Sequence, residues 1–109
     1  MTPLFVGIDC KACPPGGTPF EVRIGVCQPV PQEDHSWRCD LYLGDILREE
    51  RCNFGLDEWS ALQAGMQMVW IELAFRKSIG WRFEFWGGET TDVDVLLPQW
   101  GRALRPQFE

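Results

Sequence analysis

The segment from residue 57 to residue 78 carries more apolar surface than a helix needs when one side of it packs on a protein core. At about 100° per residue, its apolar side chains cover well over half of the helix circumference, whereas one apolar stripe is the usual requirement. The side chains form two adjoining stripes, namely Leu62, Met66, Val69 and Leu73, and next to them Ala61, Ala64, Met68, Ile71 and Phe75. Such a helix requires a second cover, either from the chain itself or from a partner.

Residues at both ends of this segment predict a helix over about residues 58–77. Asp57 is a good N-cap, because its carboxylate can accept hydrogen bonds from the free backbone N–H groups of the first turn. Arg76 and Lys77 suit the negative end of the helix dipole, and Gly80 supplies the left-handed residue at which helices often end. The start and stop signals therefore agree.

Gly65 lies inside the predicted helix, where glycine costs about 1 kcal/mol relative to alanine. Its position beside Ala61 and Ala64 predicts the close approach of another backbone. One interpretation is that the helix crosses a sheet and that the terminal segments of the chain cover its other side. The alternative is that a second copy of the chain, or a different protein, covers it.

The charge of the chain narrows the class of ligand. Its 109 residues carry a net charge of −6, and the isoelectric point is near 4.7. Nucleic acids and anionic membranes need clustered Lys and Arg, so we expect neither as a direct ligand, and a protein that is basic at the contact fits better. No apolar run approaches the roughly 18 residues of a membrane span, and the N-terminus lacks the features of a signal peptide. We therefore expect a cytoplasmic protein.

Five cysteines are an odd number in a chain without an export signal, so reduced thiols are expected. Cys10 and Cys13 have the spacing of half a zinc site, but no second pair follows and the other three are scattered. A thioredoxin-like role needs a helix N-terminus beside the pair, whereas residues 14–17, Pro-Pro-Gly-Gly, predict a turn. The sequence therefore predicts no metal and no cofactor.

Alternation of apolar and polar residues predicts strands on both sides of the helix. The candidate strands are residues 4–8, 20–26, 37–43, 47–54, 81–86 and 93–97. The predicted fold class is α+β, with an antiparallel sheet of four to five strands packed against one long helix. The strands form a meander, followed by one or two strands after the helix. We expect a single domain over residues 1–109, with a C-terminal tail at about 98–109.

The succession of motifs resembles a family of short bacterial proteins classed as a domain of unknown function. In that family a V-x-I-G-x-P strand leads to a W-x-C strand, then to G-[VL]-D-x-x-x-A-L at the helix start, and then to W-x-G-G. The corresponding segments here are PFEVRIGVCQPVP, SWRCDLYLGD, FGLDEWSALQAGMQMVWIEL and FEFWGG, over about residues 19–88. The helix start, with Asp57, is the most specific part. The resemblance implies the fold and carries no activity.

The ionisable residues form no recognisable catalytic centre. His35 is the one histidine, in a loop rich in proline and acidic residues where a solvated side chain is expected. Asp92 and Asp94 would point the same way on a strand, which could hold a divalent ion or an acid–base pair, although a solvated strand face is the simpler explanation. Gly16-Gly17 and Gly87-Gly88 predict turns, because neither pair precedes a helix and a basic residue. We predict no catalytic residue.

Two functional classes fit these observations. The first is a small acidic protein that binds and neutralises a partner, such as an immunity protein against a bacterial toxin or a phage-encoded inhibitor. The second is a structural or subunit protein that forms a homodimer through the helix, and a small enzyme that uses carboxylates or a thiol is a third alternative. In the first class, aromatic anchors and carboxylates would form the partner-binding surface, and the candidates are Glu49, Glu50, Trp86, Glu89, Asp92, Asp94 and Trp100.

Overall fold

The computed structural model describes residues 4–98 as an antiparallel sheet with one long helix packed on one of its faces. The predicted α+β fold is confirmed, with six strands in place of four to five. None of the helices in this part of the chain combines the length and the apolar character of a membrane span. The elements are β1 (Leu4–Cys13), β2 (Phe20–Cys27), β3 (Val30–Pro31), β4 (Trp37–Tyr42), β5 (Cys52–Gly55), α1 (Glu58–Ser78) and β6 (Arg82–Phe85), with short 3₁₀ helices at Gly44–Ile46, Trp86–Gly88 and Val93–Leu96.

The N-terminal strand joins the two halves of the sheet, since β1 pairs with β2 along one edge and with β6 along the other. β2 then pairs with β4, and β4 pairs with both β3 and β5. β2 and β3 pair with β4 in registers that differ by one residue, so β3 continues β2 along the same edge of β4. β5 pairs with the other edge of β4. The sheet therefore runs from β5 through β4, β2 and β1 to β6, and every pair is antiparallel.

Two candidate strands in the first half of the chain have different bounds from those predicted. The alternation predicts residues 4–8, but β1 extends to Cys13 and pairs with β6 over its last four residues. The alternation also predicts residues 47–54, but β5 begins at Cys52, because the 3₁₀ helix Gly44–Ile46 turns the chain out of the sheet. Its first residue has a φ of 54°, a conformation that favours glycine.

The prediction of a strand at residues 93–97 is wrong. Val93–Leu96 is a 3₁₀ helix in which Val93 is buried. The Asp92 carboxylate accepts a hydrogen bond from the backbone N–H of Asp94 at 2.9 Å, which closes the first turn. Asp residues often form such local bonds and so divert the backbone from a strand.

The core lies between α1 and the sheet face that it covers. Alternate strand residues point toward the helix, and the buried residues of the two layers include Cys10, Ala12, Ile24, Val26, Cys39, Phe83 and Phe85 from the sheet and Ala61, Val69 and Leu73 from the helix. The opposite face of the sheet carries charges of both signs, joined by the ion pairs Arg23–Asp9, Arg38–Asp40 and Arg82–Glu84. One face of the sheet is therefore covered by the helix, and the other is a polar outer face.

The ends of α1 agree with the prediction to within one residue. The Asp57 carboxylate accepts a hydrogen bond from the backbone N–H of Ser60 at 2.7 Å, and this bond lowers the pKa of Asp57. At the other end, the backbone N–H of Ile79 donates to the carbonyl of Arg76, and Gly80 has a φ of 107°. The helix thus ends at a glycine in a positive-φ conformation, as expected.

Gly65 marks a close approach of the helix to the sheet. A Cβ at this position would lie 2.5 Å from Cys39 Sγ and 3.3 Å from Val26 Cγ1. The close approach predicted from this glycine is confirmed, but the nearest neighbour is the side chain of Cys39 on β4 rather than a backbone. Any larger residue would push the helix away from the sheet.

The second cover of the helix is partly supplied by the segment after β6. The Trp70 Nε1–H donates to Asp94 Oδ1 at 2.9 Å, and this bond holds the 3₁₀ helix Val93–Leu96 against α1. Ile71 and Phe75 lie on a different side of the helix and stay exposed. The prediction that a terminal segment covers the helix is therefore correct for one flank, and an apolar stripe remains on the surface.

Alanine at position 65 tests the close approach. Gly65→Ala should destabilise the protein by about 1–3 kcal/mol through overpacking, although alanine alone would favour the helix by about 1 kcal/mol. In a Cys39→Ala background the same change should cost less, because the sulfur that blocks the new methyl group is gone. Urea unfolding of the four proteins gives the coupling. An equal loss in both backgrounds would mean that Cys39 does not set the distance.

Candidate functional site

Trp86 is the most unusual surface residue in the described part of the chain. Its side chain is 56% exposed, and its φ is 54° although it is not a glycine. A left-handed backbone costs a residue with a Cβ about 1–2 kcal/mol. Strain of this kind persists where the surroundings over-determine the conformation, and it is concentrated at functional sites.

The turn that follows β6 explains how this conformation is held. Phe85 and Thr90 exchange backbone hydrogen bonds, with Phe85 N–H donating at 2.9 Å and Thr90 N–H at 3.5 Å. Between them, Gly87 and Gly88 also have positive φ values, of 67° and 93°. The turn predicted from the two glycines is confirmed. It closes on itself and presents the indole of Trp86 at the end of β6.

A concave surface of about 560 Å³ lies beside Trp86 on the outer face of the sheet. Lys11 of β1 stands at its centre, directly opposite Glu21 of β2 on one side and Glu84 of β6 on the other. Asp9 also lines the surface. The lining therefore combines three carboxylates with one lysine and the exposed indole.

The charges around Trp86 are predominantly negative. Residues 83–98 contain four carboxylates and no Lys, Arg or His. Two arginines balance part of this charge, since Arg23 lies 3.1 Å from Asp9 and Arg82 lies 3.7 Å from Glu84. Such exposed ion pairs typically contribute about 0–1 kcal/mol, so a cationic group from outside can compete for these carboxylates. The surface can therefore bind a cation beside an aromatic ring.

The predicted site residues after β6 do not all remain available. Glu89 is exposed at the end of the Trp86 turn, and Asp92 is exposed after it. Asp94 accepts the hydrogen bond from Trp70, so its carboxylate stabilises the fold. Because this segment is a 3₁₀ helix, the two aspartates do not form the pair on a strand that the alternation predicts.

The other predicted site residues lie elsewhere or outside the described part of the chain. Glu49 and Glu50 are exposed in the loop before β5, where Arg51 lies 3.4 Å from the carboxylate of Glu49. That loop is at the opposite edge of the sheet, and the intervening strands, at about 4.8 Å spacing, put it roughly 19 Å from β6. Trp100 lies outside the described residues. Glu49 and Glu50 therefore do not join the surface at Trp86.

The buried thiols of Cys10 and Cys39 are poorly suited to nucleophilic chemistry. Burial raises the pKa of Cys10 to about 12 and that of Cys39 to about 11, so both are protonated near neutral pH. Cys10 is buried in the core, whereas Cys13, three residues on, lies with its Sγ 3.9 Å from Glu84 Oε2. Residues three apart on a strand point to opposite faces, so these two thiols cannot bind one ion together. Among residues 4–98, no three His, Cys, Asp or Glu side chains are placed to hold a metal.

Several residues of the concave surface were not predicted from the sequence. Asp9, Lys11, Glu21 and Glu84 come from three strands, and strand pairing alone brings them together. The available signal was the alternation of polar and apolar residues from Asp9 to Cys13, which would have extended the first strand and placed Lys11 on its outer face.

A family model described as Domain of unknown function (DUF6968) matches residues 15–92. The matched span contains β2 to β6, α1 and the Trp86 turn, and it begins after β1. It agrees with the resemblance over residues 19–88. Neither the comparison with curated proteins nor that with solved structures gave a match.

Paired substitutions at position 86 measure the backbone strain. Trp86→Ala and Trp86→Gly both remove the indole, but glycine tolerates the positive φ. Trp86→Gly should therefore be more stable than Trp86→Ala by about 1 kcal/mol in urea unfolding. The same pair at Ile71, inside the helix, is the control, and there alanine should be the more stable by about 1 kcal/mol. Equal stability of the two variants at position 86 would show that the residue is unstrained.

Proposed function

The chain belongs to the DUF6968 family, and since that family is described as a domain of unknown function, we propose its function from the site at Trp86. The protein binds and neutralises a partner protein that is basic at the contact. The observation that carries this proposal is the exposed tryptophan with a strained backbone beside a concave surface rich in carboxylates.

Trp86 has the properties of an interface anchor. Residues that dominate binding energy at protein interfaces are enriched in tryptophan, because the indole buries a large apolar area and keeps one hydrogen-bond donor. Here the ring projects from a turn closed by the Phe85–Thr90 bridge, so little conformational freedom remains to be lost on binding. A pre-formed anchor of this kind favours a tight complex.

The carboxylates supply the complementary charge. An Arg or Lys side chain of the partner could lie over the indole of Trp86 and at the same time contact Glu84 or Glu21. Glu89 and Asp92 extend the negative surface past the turn. Together with the net charge of −6, these groups would attract a basic partner and increase the association rate.

A neutralising role fits a small acidic domain of this construction. We propose that it acts as an immunity protein against a bacterial toxin or as a phage-encoded inhibitor does, by covering the basic functional surface of its partner. The buried thiols and the location of the anchor on the solvated outer face of the sheet favour binding over catalysis. We retain the expectation of a cytoplasmic protein as part of this proposal.

Binding kinetics separate the two contributions. The partner is captured from the source organism with the full chain, and association and dissociation are then measured by surface plasmon resonance. Trp86→Ala should increase the dissociation rate at least about tenfold. Glu89→Lys should instead slow association about threefold and weaken its dependence on salt. Asp92 and Asp94 are left unchanged, because the Asp92 carboxylate closes the first turn of the 3₁₀ helix and Trp70 donates to the carboxylate of Asp94.

Trp59→Ala is the matched control, since Trp59 is 71% exposed at the start of α1 and does not line the concave surface. It should leave both rates unchanged. A captured partner whose dissociation responds to Trp59→Ala and not to Trp86→Ala would contradict the proposed site.

A homodimer through α1 is the second candidate, because Ile71 and Phe75 expose an apolar stripe on the helix. Neither tryptophan of the helix joins this stripe, because Trp59 and Trp70 lie on another side of the helix at about 100° per residue. Trp70 is also half-buried and bonded to Asp94.

The oligomeric state tests this second candidate. If the stripe is an interface, the full chain should sediment as a dimer, and Phe75→Glu should convert it to a folded monomer. Glu58→Gln, at the start of the helix, is a surface control that should keep the dimer. A wild-type chain that stays monomeric at the highest concentration reached in sedimentation equilibrium would exclude the homodimer.

A further inference from the structure

β1 has an edge that no described strand occupies. β6 pairs with residues 10–13 of β1, and its last pair joins Phe85 to Cys10. Residues 4–9 therefore have β2 on one edge and, among residues 4–98, no strand on the other. Among residues 4–98, the backbone of residues 4–9 forms hydrogen bonds with β2 and with no other segment. Alternate residues in an antiparallel strand direct their N–H and C=O groups away from the paired neighbour, so within the described part of the chain the outward backbone groups of this edge have no partner.

The composition of the edge makes it a good template for another strand. Residues 4–8 are Leu-Phe-Val-Gly-Ile, and Phe5 and Val6 are about half exposed. The register shifts once, between Leu4 and Val6, and the ladder is regular from there to Ala12. Proteins commonly protect such edges with lysine, proline or a covering segment. Residues 6–9 contain neither lysine nor proline.

An apolar cleft lies on the helix side of this edge. It has a volume of about 170 Å³ and is lined by Val6 and Ile8 of β1, by Met66 of α1, and by Val95 and Leu96 of the 3₁₀ helix after β6. Apolar cavities of about 150 Å³ can hold a benzene molecule. The cleft is therefore large enough for one apolar side chain that enters from the edge of the sheet.

The concave surface at Trp86 lies on the other side of the same edge. Ile8 lines both the cleft and the concave surface, and Asp9, the next residue, lines the concave surface. Successive side chains of a strand point to opposite faces. A strand added to this edge would thus direct every second side chain into the apolar cleft and the others toward Asp9, Glu84 and Trp86.

We propose that an extended segment of the partner adds to the free edge of β1 as an antiparallel strand, in line with β6, with alternating apolar and basic residues. The inference rests on the proposed function and specifies how the partner binds. Main-chain hydrogen bonds to residues 6–9 give affinity, and the two surfaces on either side select the sequence. Charge favours a foreign basic segment over a second copy, because β1 of a second copy would bring Asp9 and no basic residue before Lys11.

Synthetic peptides test this mode of binding with the full chain. The probe is a blocked peptide of about eight residues in which Val and Lys alternate, and the control has the same composition with the valines and lysines in separate blocks. Fluorescence anisotropy should show at least about tenfold tighter binding of the alternating peptide. Two further peptides are N-methylated, one at its odd-numbered and the other at its even-numbered residues. One of them should lose binding and the other should keep it, because only one of these two sets of N–H groups faces β1.

Two further measurements locate the peptide. Hydrogen exchange should slow at residues 6–9 on addition of the alternating peptide and stay unchanged at β3. Val6→Lys should weaken binding at least about tenfold by placing a charge at the apolar cleft, with Val30→Lys as control. The two valines are 49% and 48% exposed, and Val30 is on β3, away from the cleft.

The outcomes distinguish this inference from the proposed function. Strand addition is wrong, and the proposed function stands, if Trp86→Ala weakens binding of the captured partner and Val6→Lys does not. The same holds if the bound partner leaves hydrogen exchange at residues 6–9 unchanged. Equal binding of the alternating and block peptides, or no difference between the two N-methylated series, would also overturn strand addition. So would protection, in the free chain, of those amides among residues 6–9 that point away from β2, since another occupant, such as a second copy, would then fill the edge.

Discussion

The contact between Gly65 and Cys39 sets the distance between the two layers, and the rest of the structure depends on it. A methyl group at position 65 would lie 2.5 Å from the Cys39 sulfur, so the helix can approach this closely because that position has no side chain. Ala61, Val69 and Leu73 lie on the same side of the helix and are buried against the sheet. A helix so close to the sheet buries a narrow stripe of small and branched residues. Its wider apolar surface then has to be covered from the sides.

The covering of that surface determines where the exposed features are. On one flank, Trp70 binds Asp94 and brings the segment after β6 against the helix. This segment must leave the sheet before it can cross to the helix, and the turn at Trp86 is where it leaves. The position of the exposed tryptophan is thus connected to the packing of the helix. A change at Trp70 or Asp94 should therefore disturb both.

The sequence predicts the elements whose signals are local. The cap at Asp57 and the stop at Gly80 define α1 to within one residue, and alternation finds β2 and β4. Residues 93–97 have the alternation of a strand, but Val93–Leu96 is a 3₁₀ helix. The Asp92 carboxylate accepts a local bond from the Asp94 N–H, and the indole N–H of Trp70 donates to the Asp94 carboxylate. Periodicity does not detect bonds of this kind.

The candidate site also has one part that local sequence signals predict and another that depends on the order of the strands. Trp86 and the glycine turn are predictable, because aromatic residues and Gly-Gly pairs are local signals. The grouping of Glu21, Lys11 and Glu84 depends on β1 standing between β2 and β6, an order that sequence alternation does not give. The separation of Glu49 from Trp86 has the same origin, since the two lie at opposite edges of the sheet.

The anchor and the free edge have a common cause. β6 and β1 pair up to Phe85 and Cys10, and the next pair would join Trp86 to Asp9. The positive φ of Trp86 ends the ladder at this point, because the chain turns away and closes through Thr90. One strained residue therefore exposes an indole and leaves the next residues of β1 without a partner from β6. In the proposed complex, a segment that replaced the missing part of β6 would contact the indole where its strand begins. Strain in the free protein would then prepare both the anchor and the strand position for the proposed partner.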